Sequence, residues 1–267
     1  NYPYINGRNN YYGYGRINAY KAIKHTIENF GGTILQNLSI PYGEVWNLLP
    51  GISLDFNTGV SWIINGTLNA IGNTSNSITF NRSGSNGTWG GVIFNSGSSG
   101  TLQYCEIVNA TNGITLNNTS SPVIQSCTIQ NCSGNGIYLN GSSSPTLTGN
   151  TISNCNFGIY CYNYAAPVLV RNSILGNQNG VAGFMMCSPQ LGSYNIITSN
   201  GNGIYLTQTS GSITARYSNI YNNNSYALNL QDGGSMDARY NYWGYSISPY
   251  YDINDFYTSN FALSYSD

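Results

Sequence analysis

Charge is scarce in this chain. Asp, Glu, Lys and Arg make up 6% of its 267 residues, and the formal net charge is -1; an average soluble protein is about one-quarter charged. That scarcity excludes nucleic acid as a partner, because phosphate binding needs clustered Lys and Arg to displace counterions. It equally excludes a polybasic membrane-binding surface. Long apolar runs are missing too. The longest, such as Val181 to Cys187, fall far short of the roughly 20 residues that a membrane span requires. Histidine occurs once, as His25, and the six cysteines contain no Cys-x-x-Cys. Neither a metal site nor a cofactor is therefore expected. No signal-peptide pattern opens the sequence, so export would depend on a signal that was removed or lies upstream.

Aromatic residues, by contrast, are abundant: 24 Tyr, 8 Phe and 4 Trp. Disordered segments are usually charged and poor in aromatics, so low charge does not mean disorder here. The polar content is mainly Asn, Ser, Thr and Gly, which makes a hydrogen-bonding but uncharged surface. An ordered strand-and-turn protein, secreted or at the cell surface, is expected. Asn-x-Ser/Thr sites, for example at Asn37, Asn65, Asn118 and Asn140, agree with an external location, although this composition supplies many by chance.

The dominant signal is an internal repeat. Ile107, Ile129, Ile152, Ile174, Ile196 and Ile220 stand 22, 23, 22, 22 and 24 residues apart. Ile114, Ile137, Ile159, Val181, Ile204 and Leu228 form a second column. Pro122, Pro145, Pro167 and Pro189, with Gly211 in the next place, form a third. Each period of about 22 residues holds three short extended pieces, such as Gly136-Ile137-Tyr138-Leu139, Pro145-Thr146-Leu147 and Asn150-Thr151-Ile152. Alternation puts Ile and Leu on one face and Tyr or Thr on the other. One coil cannot bury its apolar residues alone, but coils stacked about 4.8 Å apart enclose a continuous core. The expected fold is therefore all-β: a right-handed, single-stranded parallel β-helix. Leu116, Leu139, Cys161 and Leu206 should also point inward. The stretch from Pro50 to Phe94 repeats less cleanly and accounts for about three further coils.

Asn recurs at Asn109, Asn131, Asn154 and Asn222, two places after the core Ile. A stacked amide there can bond its neighbours above and below, each bond contributing about 0.5–1.5 kcal/mol. Asn also tolerates left-handed backbone, which would explain the same recurrence.

The segment from about Gly51 to Gly244 resembles the secreted bacterial right-handed β-helix repeat proteins. Asn65-Gly66-Thr67-Leu68, Gly87-Thr88-Trp89-Gly90-Gly91 and the closing Ala238-Arg239-Tyr240-Asn241-Tyr242-Trp243-Gly244 carry the likeness. That resemblance implies the fold but no single function, since the family includes polysaccharide-active enzymes, adhesins and modules of no known activity. A shorter stretch, Tyr11-Tyr12-Gly13-Tyr14-Gly15-Arg16-Ile17-Asn18-Ala19-Tyr20-Lys21-Ala22-Ile23, is similar to the last strand and helix of subtilisin-like serine proteases. The nucleophile motif of those proteases is absent, and His25 does not lie in their histidine motif. The resemblance implies no activity, only that a protease-like domain precedes this segment. Ile17, Tyr20, Ile23 or Lys24, Ile27 and Phe30 recur at helical spacing. Asn18 suits the start of such a helix and Gly31-Gly32 its end. A one-faced helix here would cap the first coil.

Catalytic groups are sparse. Residues 107–170 carry no charged side chain, and the acids of the regular coils are Glu106, Asp232 and Asp237. Glycoside hydrolysis needs paired carboxylates, and none recur one coil apart. Arg171, Arg216 and Arg239 lie near one column, as a basic line or a solvated face. Cys105 and Cys127 are one period apart, as are Cys132 and Cys155. Coil spacing places such pairs within disulfide reach, while buried free thiols would pack equally well. Tyr138, Tyr160 and Tyr205 form an outward stripe, interrupted by Thr115 and Ala182. Aromatic faces stack on sugars, but an outward Tyr can also simply cover strand backbone and pair across coils.

Three segments are thus expected: a protease-like tail and capping helix over 1–32, the β-helix over 33–244, and a cap or connector over 245–267. The function expected is a non-catalytic module serving as scaffold, adhesin or glycan-contact surface, with Tyr138, Tyr160 and Tyr205 meeting a glycan or cell-surface polymer. A sheath- or filament-forming subunit that self-associates is an alternative, as is a polysaccharide lyase or hydrolase with an atypical site.

Overall fold

The computed structural model describes residues 19–208, 212–231, 235–244, 253–255 and 261–262. Its strands form three parallel sheets. The first has nine strands, from Gly32–Ile34 to Asn219–Tyr221. The second and third have ten each, from Leu38–Ile40 to Ile253–Asp255 and from Val45–Leu48 to Phe261–Ala262. The chain visits the sheets in turn, one strand of each per coil, and stacks nine coils as a parallel β-helix. No helix of the described residues is long and apolar enough to cross a membrane. Gly211, and Ile17 and Asn18 ahead of the helix, lie outside the described residues, as does most of the protease-like stretch.

The inward columns set the register. In the first sheet Leu54, Phe80, Ile107, Ile129, Ile152, Ile174, Ile197 and Ile220 stack one above another. Here the structure corrects the sequence expectation by one residue. Ile196 pairs with Ser173 and is 38% exposed, while Ile197 pairs with Ile174 and is fully buried. The cause is the alternation of a strand: of two adjacent Ile, only one can face the core. The second sheet carries Ile114, Ile137, Ile159, Val181, Ile204 and Leu228 as expected, and beside them Leu116, Leu139, Cys161 and Leu206, with Gly183 between the last two.

Coils one to three are less regular and aromatic inside. Trp46, Trp62, Trp89, Phe56, Phe80 and Phe94 are buried. Phe56 stacks on Trp89 at 4.4 Å, and Trp62 meets Phe80 edge-on at 5.5 Å. The Trp89 indole donates to the Val108 carbonyl (2.8 Å). Helix Ala19–Phe30 lies on the strand Val45–Leu48 of the first coil and closes that end. Trp46 donates to the Tyr20 hydroxyl (2.9 Å), the Lys24 ammonium to the Val45 carbonyl (2.6 Å), and the Asn47 amide to the Glu28 carboxylate (2.7 Å). Only part of the expected apolar stripe is used: Ile27 is buried, whereas Ile23 and Phe30 are exposed, because Lys24 and Glu28 hold the helix by its polar edge. Gly31 ends the helix at φ 69°, where a Cβ would collide with the Ser53 carbonyl.

Two internal columns flank the first sheet from coil four onward. One runs Cys105, Cys127, Asn150, Asn172, Asn195, Ser218, Asn241, two places before the core Ile. The Asn172 amide donates to the Leu147 carbonyl (2.8 Å) and the Asn195 side chain (3.2 Å). Its oxygen accepts from the Asn150 backbone (3.0 Å) and side chain (3.0 Å). The other column runs Cys132, Cys155, Asn177, Asn200, Asn223, three places after the Ile. Asn177 donates to Asn200 (3.0 Å) and Asn200 to Asn223 (3.0 Å). These amides, buried except for the half-buried Asn223, pair the backbone groups of the bends. Asn109, Asn131, Asn154 and Asn222 stand on the outside of a bend at φ 59°, 58°, 55° and 51°. Asn154 donates to Asn131 at 3.4 Å and Asn109 to Asn81 at 2.9 Å. The continuous amide ladders are the two buried ones.

All six thiols are free and buried. Hydrogen bonding to Cys127 and burial hold Cys105 well above the ordinary thiol range. Hydrogen bonding to Cys155 and burial do the same for Cys132. Burial raises Cys161, and pushes Cys187 up to about 12.

Candidate functional site

The second sheet turns its outer face to solvent along strands Asn135–Asn140, Phe157–Tyr162, Asn179–Phe184 and Asn202–Thr207. Ile137 and Leu139 point inward, which sends Tyr138 outward; the same alternation acts in the neighbouring coils. Tyr138 lies opposite Tyr160, and Tyr160 opposite Ala182, which is opposite Tyr205. All three expected tyrosines therefore share one row, each partly exposed.

That row is the middle of a larger aromatic cluster. Tyr160 touches Tyr138 (5.4 Å), Phe157 (5.0 Å), Tyr162 (6.3 Å) and Phe184 (5.0 Å), ring centre to ring centre. Phe184 meets Tyr205 at 5.5 Å and so bridges the gap at Ala182. A Cβ on Gly158 would stand 2.6 Å from the Gly180 carbonyl oxygen. Glycine there leaves room for the backbone of the next coil, and the adjoining Phe157 meets Tyr160. Burial, and the nearby Tyr162, raise the Tyr138 hydroxyl above its ordinary value; burial followed by Tyr138 and Tyr162 does so for Tyr160. The hydroxyls therefore stay protonated at neutral pH and can donate hydrogen bonds.

Rows of amides lead into the cluster. Asn117 donates to Asn95 (3.2 Å) and Asn95 to Asn65 (2.8 Å), and this row continues through Asn140 into Tyr162 and Phe184. On the other side Asn202 donates to Asn179 (2.8 Å), in the row of Phe157. The face is thus flat, aromatic and uncharged, with amide donors and acceptors at both margins. Sequence reading missed Phe157, Tyr162 and Phe184, because they belong to two rows beside the tyrosine column.

Acid–base groups are placed elsewhere. Asp55, Glu106 and Asp237 stand in coils two, four and nine. Asp237 accepts from Arg239 through two bonds (2.8 and 2.7 Å) and is paired with Arg216. Arg171 does not continue that row, as its expected place in one basic line required. It occupies the corner between the third and first sheets, with its guanidinium 5.7 Å from the Tyr194 ring centre. Among the described residues no group of three or more His, Cys, Asp or Glu side chains is placed to hold a metal ion.

No curated protein sequence matches the chain. In fold it is similar to the crystal structure of a double mutant of the periplasmic alginate epimerase AlgG, at a TM-score of 0.52 and 13% identity, covering 81% of this chain and 70% of that one. The model of the right handed beta helix region matches residues 51–162 and 90–242, in overlapping stretches that take in well over half the sequence. With three parallel sheets stacked coil on coil beneath that match, the chain belongs to the right-handed β-helix family.

Proposed function

We propose that this chain is a non-catalytic, secreted or cell-surface β-helix module whose aromatic face contacts a glycan. The observation that carries the reading is the cluster of Tyr138, Phe157, Tyr160, Tyr162, Phe184 and Tyr205, set in coils that carry almost no charge. Such rings offer apolar faces to sugar rings, and the flanking Asn rows offer partners to hydroxyls. A fold shared with an alginate epimerase fits a carbohydrate-related role. Stacked coils support a rigid scaffold, and a polymer lying along the axis would meet the same surface in each coil.

The test is affinity electrophoresis of the chain through gels loaded with a panel of polysaccharides. At least one polymer should retard the chain, and Tyr138→Ala with Tyr160→Ala should abolish most of that retardation without changing the circular dichroism. Retardation that survives both substitutions sinks the reading. A second reading, self-association through this face, draws on exposed Tyr164, Met185 and Met186 at the adjoining corner. Sedimentation velocity showing dimers that Tyr160→Ala dissolves would favour it.

A further inference from the structure

A second surface lies on the corner between the third and first sheets. Each coil from the fourth onward passes this corner through one residue at positive φ: Tyr104, Ser126, Gly149, Arg171, Tyr194, Tyr217 and Tyr240. Left-handed backbone suits glycine, as at Gly149, and is costly for a bulky side chain. Three successive coils nonetheless place tyrosine there, at φ 67°, 53° and 62°. These side chains do not fill the core: Tyr194 is 68% exposed, Tyr217 53% and Tyr240 40%. Strain kept for an outward aromatic points to a use on the surface.

Charge gathers at the same corner. Arg171, Arg216 and Arg239 are three of the eight basic residues in the chain. Arg171 lies against Tyr194, and the Arg239 guanidinium lies 6.0 Å from the Tyr240 ring centre. Tyr217 and Tyr240 stack at 5.1 Å, 4° from parallel. Asp237 engages Arg216 and Arg239, leaving three guanidinium groups against one carboxylate. The Arg216 Nε is buried without a hydrogen-bond partner. Guanidinium forks match carboxylate and sulfate groups, and the rings repeat once per coil, about 4.8 Å. Three cations are too few to hold nucleic acid at physiological salt.

We propose that this corner binds a strand of acidic polysaccharide lying along the solenoid axis. Its sugar rings pack against Tyr194 and the outward edges of the Tyr217–Tyr240 stack, and its carboxylate or sulfate groups meet Arg171, Arg216 and Arg239. The proposal rests on the glycan reading above for its ligand class, but uses a separate surface and adds a charge requirement.

The experiment is binding of the full chain to polygalacturonate, dextran sulfate and neutral dextran, read by calorimetry at low and high salt. At least one acidic polymer should bind, weaken on adding salt, and exceed neutral dextran about tenfold. Arg171→Gln should weaken it about tenfold. Tyr194→Gly should weaken it similarly while leaving the melting temperature unchanged or higher, because glycine relieves the strained backbone. A purely structural stack would instead lose melting temperature in Tyr194→Gly. Preference for polygalacturonate supports carboxylate recognition, and preference for dextran sulfate supports sulfate recognition. Binding by neither acidic polymer, equal binding of neutral dextran, or binding that survives both substitutions overturns the proposal. Binding lost in Tyr138→Ala and Tyr160→Ala but kept in the corner variants overturns it and leaves the aromatic-face reading standing.

Discussion

Coils one to three and coils four to nine bury their interiors with different chemistry. The early coils vary in length: successive residues of one row stand 26 apart from Leu54 to Phe80, 30 from Trp62 to Val92 and 32 from Leu68 to Gly100. Their bends differ from one coil to the next, so no single side chain can stack through all of them. Large aromatics fill the uneven space instead. The later coils advance by 22 or 23 residues along the first sheet. Their bends superimpose, so one amide can bond the same amide one coil away. Regularity permits ladders, and ladders in turn fix the register. In a solenoid each coil contacts only its neighbours, so the two regions should respond to substitution locally.

The largest expected loss is in the early coils. Trp89→Ala removes the ring stacked on Phe56 and the bond to Val108, and should cost about 3–5 kcal/mol. Urea denaturation checks it, and hydrogen exchange should show the protection loss concentrated in coils two to four. Next comes register. Ile197→Ala should cost about 2–5 kcal/mol, whereas Ile196→Ala, on the outer face, should stay within about 0.5 kcal/mol. Equal losses would contradict the one-residue correction.

The ladders come third. Asn172→Ala orphans the Asn150 amide and the Leu147 carbonyl inside the protein, at about 1–3 kcal/mol for a buried group left unpaired. Asn131→Gly, at an outer left-handed position, should change stability by only a few tenths of a kcal/mol. A larger loss at Asn131 than at Asn172 would reverse the assignment of the ladders.

The last effect is absent at neutral pH and confined to alkaline solution. Cys161 and Cys187 are raised by burial, Cys187 to about 12 from an ordinary value of 9.0. The unfolded chain therefore releases thiol protons first. Stability from these thiols is complete below about pH 9 and falls as pH rises toward about 12. Melting temperature should drop over that window, and less in Cys187→Ala. A flat profile would place the thiols in contact with water.

Much of this was legible in the sequence. A strict period exposes stacked columns, because residues one coil apart face the same way. The Ile196 slip arose because Ile196 and Ile197 are identical neighbours, and spacings of 22 and 23 both fit the repeat. The buried ladders escaped notice although Asn150, Asn172 and Asn195 keep the same spacing as Cys105 and Cys127. Asn occurs in so many other columns that burial alone separates them. The aromatic face was half visible: one column gave Tyr138, Tyr160 and Tyr205, but Phe157, Tyr162 and Phe184 join it only across rows. The tyrosine corner gave no periodic warning, since Ser126, Gly149 and Arg171 separate Tyr104 from Tyr194, Tyr217 and Tyr240.

Binding without chemistry is the claim to press hardest, and the proton NMR spectrum of a polysaccharide mixed with the full chain addresses it. Prolonged incubation should broaden the resonances of a bound polymer and produce no new ones. Lines that stay sharp for every polymer would remove the contact, and new anomeric or unsaturated-sugar signals would make the chain an enzyme.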